Sequence, residues 1–290
     1  MAALSAAAPL VVVVAYRSDG HLGAALACLG GELDVVIVDN DASSATARLA
    51  SASGARYLPM PRNLGFAAGV NVGLRETWDG MRDVLLLNPD ARVSCRAVLA
   101  LQHALRAHPM LAAVGPRIAD DQGGNHAADW PLPSPGQVWF DALALGRFWR
   151  GRRFVTGAVL LLRAEALAQV GAFDERYFLY AEEADWQLRA QRLGWDVQVV
   201  GSVTATHAGG ASSNDRTVRE RQFYTSGAAF ADRWYGQPGR LAMRLGSMVA
   251  AGRRSVLGTP GSRALNRRVL RLYLRGSMRE AGARERGGAR

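Results

Sequence analysis

Short, unbroken apolar runs alternate along the first half of the chain with stretches whose apolar positions recur at helical spacing. Leu10–Ala15 reads LVVVVA, a β-branched run without polar interruption. That is the pattern of a parallel strand covered on both faces. Leu22–Leu29 follows as a short helix. Asp34–Val38 (DVVIV) is a second buried strand and ends in Asp39-Asn40-Asp41. Ser44–Ala52 reads as helix, Ala55–Leu58 as a short strand, and Ala67–Thr77 as a helix entered through the loop Asn63-Leu64-Gly65-Phe66. Asp83–Leu87 (DVLLL) is a further buried strand, running into Asn88-Pro89-Asp90. Strands and helices alternating at this spacing predict a doubly wound α/β fold with a mostly parallel central sheet. Ligands of such sheets sit beyond the carboxyl ends of the strands, and the polar clusters at 39–41 and 88–90 stand at those ends.

The second half is less regular. Ala97–Ala107 predicts a helix and Ala112–Pro116 a strand. Ala119–Pro135, rich in Gly, Asp and Pro, predicts a surface loop. Phe154–Leu162 (FVTGAVLLL) reads as one strand containing Gly157. Helices are expected over Arg163–Val170, ending at Gly171, and over Glu182–Leu193, ending at Gly194. Val197–Val200 and Thr204–His207 read as two short strands.

Charge changes the picture at the carboxyl end. The net +10 comes from 35 basic residues, all Arg, against 25 acids. Residues 240–290 hold 13 Arg and two acids, Glu280 and Glu285, while residues 1–239 hold 22 Arg and 23 acids. A near-neutral body gives no sign of a nucleic-acid face, so no nucleic acid is expected as partner. In the tail, Arg263, Arg267, Arg271 and Arg275 fall on one helical stripe, with Leu265, Val269, Leu272 and Tyr273 across from it. Such a helix fits peripheral contact with an anionic membrane; the plain alternative is an ordinary packed helix with a solvated face. Cys28 and Cys95 are far apart and lack CxxC spacing, which argues against zinc and fits a reducing cytoplasm. The opening apolar run is too short for a span of roughly 20 residues and lacks the basic flank of a signal peptide. The expectation is a cytoplasmic protein that reaches the inner face of the membrane through its tail.

Three acids, Glu182, Glu183 and Asp185, open the 182–193 helix beside Tyr177, Phe178, Tyr180 and Trp186. Acids favour a helix N-terminus on their own, but three within one turn repel each other unless a cation or proton is near. Asp90 follows an apolar strand and is placed either as a cap or as a ligand for a divalent cation. His207, at a strand end before Gly209-Gly210 and Ser212-Ser213, could complete that ligand set.

In combination these segments resemble the family 2 glycosyltransferases with the GT-A fold, most of all bacterial rhamnosyltransferases of cell-surface polysaccharide synthesis. The matching pieces are VVVVAYRS, VVIVDNDAS, RNLGFAAGVNVGL, DVLLLNPDARV, VTGAVLLLRAEALAQVGAFDERYFLYAEEADWQLRAQRLGW and THAGGASS, in family order. The resemblance implies a catalytic domain over residues 1–238, its nucleotide-binding half about 1–116 and its acceptor half about 117–238, followed by a basic helical extension over 239–290. It implies a metal-dependent, inverting hexosyl transfer using Mg²⁺ or Mn²⁺. The expected donor is dTDP-rhamnose or, as the alternative, a UDP-hexose or UDP-galactofuranose; the acceptor is a glycan or lipid-linked glycan. Asp39, with Asn40 and Asp41, would read the pyrimidine. Arg62 and Asn63 would lie by the nucleotide and its phosphates. Asn88 and Asp90 would meet the diphosphate, Asp90 and His207 the metal. Gly157, Phe173 and Asp174 would shape the sugar and acceptor pocket. Glu183 would be the catalytic base, supported by Glu182 and Asp185.

Two departures from the family pattern stand out. The usual DxD is Asn88-Pro89-Asp90, and the base position holds Glu where Asp is more usual, which leaves a role for Asp185 open. The QxxRW motif of processive synthases is absent, favouring transfer of one residue. A dinucleotide-binding enzyme would need GxGxxG after the first strand, where Tyr16-Arg17-Ser18-Asp19-Gly20 stands instead. A nucleotide-sugar pyrophosphorylase would need lysines that the chain lacks. A non-catalytic nucleotide-sugar or membrane-binding homologue is the alternative of a different class.

Overall fold

The computed structural model describes residues 7–120, 124–208 and 216–275. The glycines and serines at 209–213 and the end of the tail, 276–290, lie outside the described residues. Contacts divide the chain into two units, Met1–Trp130 with Arg153–Asp215, and Pro131–Arg152 with Arg216–Arg290.

The first unit opens with β1 (Leu10–Ala15), α1 (Asp19–Leu29), β2 (Val35–Asp39), α2 (Ser44–Ser53), β3 (Arg56–Pro59), α3 (Phe66–Thr77) and β4 (Val84–Leu87). These strands lie in the order β3-β2-β1-β4, all parallel, with Val11 opposite Val35 on one side of β1 and Leu85 on the other. The unbroken apolar runs have a direct cause. Val11, Val13, Ile37, Leu85 and Leu87 face one core, while Val12, Val14, Val36 and Leu86 face a second core on the opposite side. With both faces covered, alternation disappears. Helix α3 approaches β1 so closely that a Cβ at Gly69 would come within 2.7 Å of Val14 Cγ1, and one at Gly73 within 2.8 Å of Val12 Cγ1.

The chain continues through β5 (Ala91–Arg92), α4 (Cys95–Ala107), β6 (Leu111–Ala119), β7 (Asn125–His126) and β8 (Asp129–Pro131). Helix α5 (Pro135–Ala142) belongs to the second unit, and β9 (Arg153–Val155), β10 (Val159–Leu162), α6 (Ala164–Val170), α7 (Glu182–Arg192) and β11 (Asp196–His207) return to the first. The sheet order extends as β4-β10-β6-β11-β5; β10 is antiparallel to both neighbours and β11 is parallel to β6. The sheet is therefore mixed but mostly parallel. Three expectations change. Phe154–Leu162 is two strands, β9 and β10, parted by a turn at Thr156-Gly157-Ala158. The segments 197–200 and 204–207 are one strand, β11, with a register shift between Val200 and Thr204 where the extra residues bulge out. The 119–135 stretch carries β7 and β8 rather than loop alone.

In the second unit, α8 (Arg216–Leu257) is followed by α9 (Pro260–Arg275). Gly236 (φ 65°) and Pro238 interrupt α8, at the point where composition turns basic. Arg253 donates to the carbonyls of Asp141 and Ala142 at 3.1 Å each, holding α5 on the later half of α8. Helix α9 packs on α8: the Tyr224 and Tyr273 rings meet edge to face at 5.1 Å, and Arg268 pairs with Glu220 at 3.1 Å. Tyr273 is thus taken by α8, as the plain reading of this helix expected. Arg263, Arg267 and Arg271 stand exposed as a stripe, and Leu265, across from it, is exposed as well. The side chain of Arg275 lies outside the described residues.

A buried acid pins the first unit together. Asp83 is fully buried; Oδ1 accepts from the Ala164 amide at 3.0 Å and from Arg106 at 2.5 Å, and Oδ2 from Arg106 at 2.9 Å and Gln102 at 3.1 Å. It ties the start of β4 to α4 and α6. Truncation leaves the Ala164 amide without this acceptor and takes one of two partners from Arg106, which keeps Glu165, and from Gln102, which keeps the Ala7 carbonyl. Asp83→Ala should therefore lower unfolding free energy by about 3–5 kcal/mol in urea titrations; a loss under about 1 kcal/mol would show the cluster to be dispensable.

Candidate active site

Strand direction gathers the polar motifs at one edge of the sheet. β1, β2 and β4 are parallel, so Asp39 and Asn88-Pro89-Asp90 leave at the same edge. β10 runs the other way with Val159 opposite Leu87, which brings the turn before it, Thr156-Gly157-Ala158, to that edge as well. β6 opposes β10 and β11 follows β6, so His207 ends there too. The Asn88 amide donates to the Ala158 carbonyl at 2.9 Å. β5 pairs antiparallel with β11, His207 opposite Ala91, and the Ala208 amide donates to the Asp90 carbonyl at 3.2 Å. This register sets His207 Nε2 at 3.1 Å from Asp90 Oδ1 and 3.4 Å from Asn88 Nδ2. Asp90 is buried.

The acidic helix reaches the same turn. Gln187 is fully buried on α7 and bonds both backbone groups of Val155, accepting from its amide at 2.8 Å and donating to its carbonyl at 2.7 Å. One helical turn earlier, on the same face, Glu183 lies against Gly157: a Cβ placed there would meet the Glu183 side chain at 3.7–3.8 Å. The residues entering α7, Tyr180 (φ 69°) and Ala181 (φ 71°), are both left-handed without being glycine. Each costs of order 1–3 kcal/mol, the kind of strain that clusters at functional sites.

Glu182 and Glu183 each keep a buried Oε2 without a hydrogen-bond partner. Burial drives the Glu182 carboxyl well above the usual range, and the neighbouring Glu183 charge adds to it. Burial also raises Glu183, offset in part by the amides of Glu183, Ala184 and Gly157. Two adjacent buried carboxyls share protons more readily than they both ionise. Asp185 differs. It is fully buried, paired with Arg189 at 3.0 Å and accepting from the Tyr177 hydroxyl at 3.3 Å. Its carboxylate is turned into the protein, so the supporting catalytic role expected of it does not fit. Phe173 is likewise core, stacked on Trp186 with centroids 5.9 Å apart, and does not line a pocket.

On the nucleotide side, Asp39 is fully enclosed. Oδ1 accepts from the Asp41 amide at 3.0 Å, and Oδ2 from the Ser43 amide at 2.8 Å and the Tyr57 hydroxyl at 2.9 Å. Burial and the bond to Asp39 push the Tyr57 hydroxyl up to about 12. A direct contact of Asp39 with a pyrimidine does not fit this packing; Asp39 shapes the turn. Asn40 donates to the Gly65 carbonyl and accepts from the Leu64 amide, both at 3.2 Å, so it clamps the 63–65 loop. Asn63 accepts from the Gly65 amide at 2.9 Å. Asp41 faces solvent near Arg17, 3.7 Å away, and Arg62 is exposed. Gly65 (φ 88°) must be glycine, because a Cβ would lie 2.4 Å from the Phe178 carbonyl, which accepts from the Phe66 amide at 2.8 Å. Asn71 bonds the Phe173 amide and carbonyl and Glu175, each at 2.9 Å. Asn71 and Gln187 escaped the motif reading. The signal for Asn71 was a lone amide among small apolar residues on a buried helix face.

Among the described residues no group of three or more His, Cys, Asp or Glu side chains stands ready to hold a metal. Asp90 and His207 are two donors, oxygen and imidazole. That set suits a divalent cation completing its shell from a ligand's phosphates and water.

No family model matches the sequence. The chain is 29% identical over 81% of its length, and 88% of the relative's, to an N-acetylglucosaminyl-diphospho-decaprenol L-rhamnosyltransferase of Mycobacterium tuberculosis. It is 24% identical, over 68% of its length and 66% of the relative's, to a low-salt glycan biosynthesis hexosyltransferase of Haloferax volcanii. A mannosyltransferase from Pyrobaculum calidifontis, solved with GDP-Man and Mn²⁺, superposes with a TM-score of 0.57 at 16% identity, covering 93% of this chain and 81% of that one. Glucosyl-3-phosphoglycerate synthase of Mycobacterium tuberculosis, solved with Mn²⁺, UDP and glucosyl-3-phosphoglycerate, gives 0.53 at 16% identity over 78% of this chain and 80% of that one. The chain therefore has the GT-A fold of these solved structures and is similar, at 29% identity, to a bacterial L-rhamnosyltransferase.

Proposed function

We propose that this enzyme transfers a single L-rhamnosyl residue from dTDP-rhamnose to a lipid-linked glycan acceptor, with inversion at the anomeric carbon. One observation carries the mechanism. The 156–158 turn bonds Asn88 on one side and packs on Glu183 on the other, which supports a reading in which the acid works beside the residues that would meet the diphosphate. The rhamnosyltransferase relative supports the rhamnosyl group and a lipid-linked acceptor. A UDP-hexose donor is the second reading; the hexosyltransferase relative supports its hexosyl group.

In this reading Glu182, the more strongly raised of the pair, keeps its proton. Glu183 is then left to ionise and to take the acceptor hydroxyl's proton. Asp90 and His207, beside Asn88, would hold Mg²⁺ or Mn²⁺, whose charge offsets that developing on the leaving diphosphate. The clamped 63–65 loop presents Arg62 toward the phosphates. Asp41 and the turn built on Asp39 lie where the base would be read.

Glu183→Gln should cut kcat by about 10²–10⁴ in nucleotide-release assays across a panel of sugar donors, with donor affinity held. Retention of rate within about tenfold would remove Glu183 as base. Asp90→Ala and His207→Ala should each abolish the Mn²⁺-dependent part of nucleotide binding measured by calorimetry; equal affinity with and without Mn²⁺ in the parent would remove the ion site. Because Glu182 is raised in the folded state, stability is fullest below the ordinary carboxylate range and falls as pH rises toward the folded-state value. Glu182→Gln should therefore gain urea stability over the parent at pH 8 and match it at pH 4. A pH-independent difference would contradict the buried charge.

A further inference from the structure

The second unit and the first carry opposite charge. Residues 131–152 with 216–290 hold 20 Arg against five acids, while the first unit holds 15 Arg against 20 acids. The basic excess thus extends beyond the tail to everything that packs with α8.

The later half of α8 is apolar on two sides. One side, with Met243, Gly246 and Ala250, is buried; Gly246 faces Val138 and Trp139 of α5. On the other, Leu241, Leu245, Val249 and Val256 recur at i, i+4, i+8 and i+15, within an arc of about 80° at 100° per residue. They are 56, 45, 45 and 66% exposed. A helix apolar all round belongs in a core, and here nothing among the described residues covers the second stripe. Residues 276–290 offer Met278 as their one large apolar side chain, too little to cover it. Among the described residues no helix is long and apolar enough to cross a membrane.

We propose that this stripe is a monolayer-insertion face which, with the exposed Arg263, Arg267 and Arg271 of α9, seats the protein on an anionic lipid surface. Charge selects the occupant. A second copy docked on this face would bring two strongly basic units together, whereas an anionic bilayer supplies apolar depth and negative headgroups at once. A nucleic acid would use the arginines but leave the leucines in water. The face differs from the one the sequence suggested: Tyr273 of α9 is taken by α8, and α8 supplies the inserting residues. The inference stands on the second unit alone, independent of the sugar chemistry.

The full chain should pellet with vesicles of phosphatidylglycerol and phosphatidylcholine and stay soluble with phosphatidylcholine alone. Leu241→Glu with Leu245→Glu should cut vesicle binding at least tenfold. Unchanged pelleting, or no binding to anionic vesicles, overturns the proposal. So does loss of a parental dimer in sedimentation velocity with vesicle binding intact, which assigns the stripe to a second copy. Should the double variant misfold, a milder probe decides. In a Cys28→Ser background, where Cys95 is buried, an environment-sensitive fluorophore on Leu245→Cys should shift to the blue with anionic vesicles. The same fluorophore on Met81→Cys in the first unit, where Met81 is 78% exposed, should not. A probe at 245 that is silent overturns the proposal.

Discussion

Everything at the site depends on one three-residue turn. Thr156-Gly157-Ala158 parts β9 from β10 and spends its backbone outward: Ala158 accepts from Asn88, and Gly157 donates toward Glu183. The Ala158 bond continues the register of β10 with β4, whereas the break leaves the Gly157 amide to Glu183. The interruption lets two motifs some ninety residues apart in the chain meet without a long side chain between them. Gln187 guards the arrangement by bonding Val155 in the manner of an extra strand, which fixes the helix that carries the acids.

The fold was plain in the sequence where burial on both faces left an unambiguous trace. LVVVVA and VLLL have no polar position, which a strand covered on both faces tolerates, whether parallel like β1 or antiparallel like β10. Legibility failed where context decides. FVTGAVLLL looks like one strand because Thr, Gly and Ala are all tolerated in strands. The break comes from Gly157 meeting the acidic helix, which no local pattern encodes. The two segments of β11 read apart because the bulge between Val200 and Thr204 places polar and small residues in mid-strand.

The site was legible as a set of residue types and less so as roles. Asp90 and His207 meet at the sheet edge and Glu183 lies against Gly157. Asp39, Asp185 and Phe173 sit in equally strong motifs but point inward, each held by a specific partner: Tyr57, Arg189 and Trp186. A motif records that a residue type is required at a position. Whether the requirement is chemical or architectural depends on which way the side chain turns, and that is set by the packing of distant elements. The amphipathic helix at the carboxyl end shows the same gap, since Tyr273 on its apolar side packs on Tyr224 of α8.

The bond between the Phe66 amide and the Phe178 carbonyl has a mechanical consequence. The loop that follows Arg62 and Asn63 is fastened through Gly65, where even a Cβ would collide, to the segment leading into the left-handed turn before the two glutamates. With no side chain in between to absorb movement, a displacement of either segment pulls on the other.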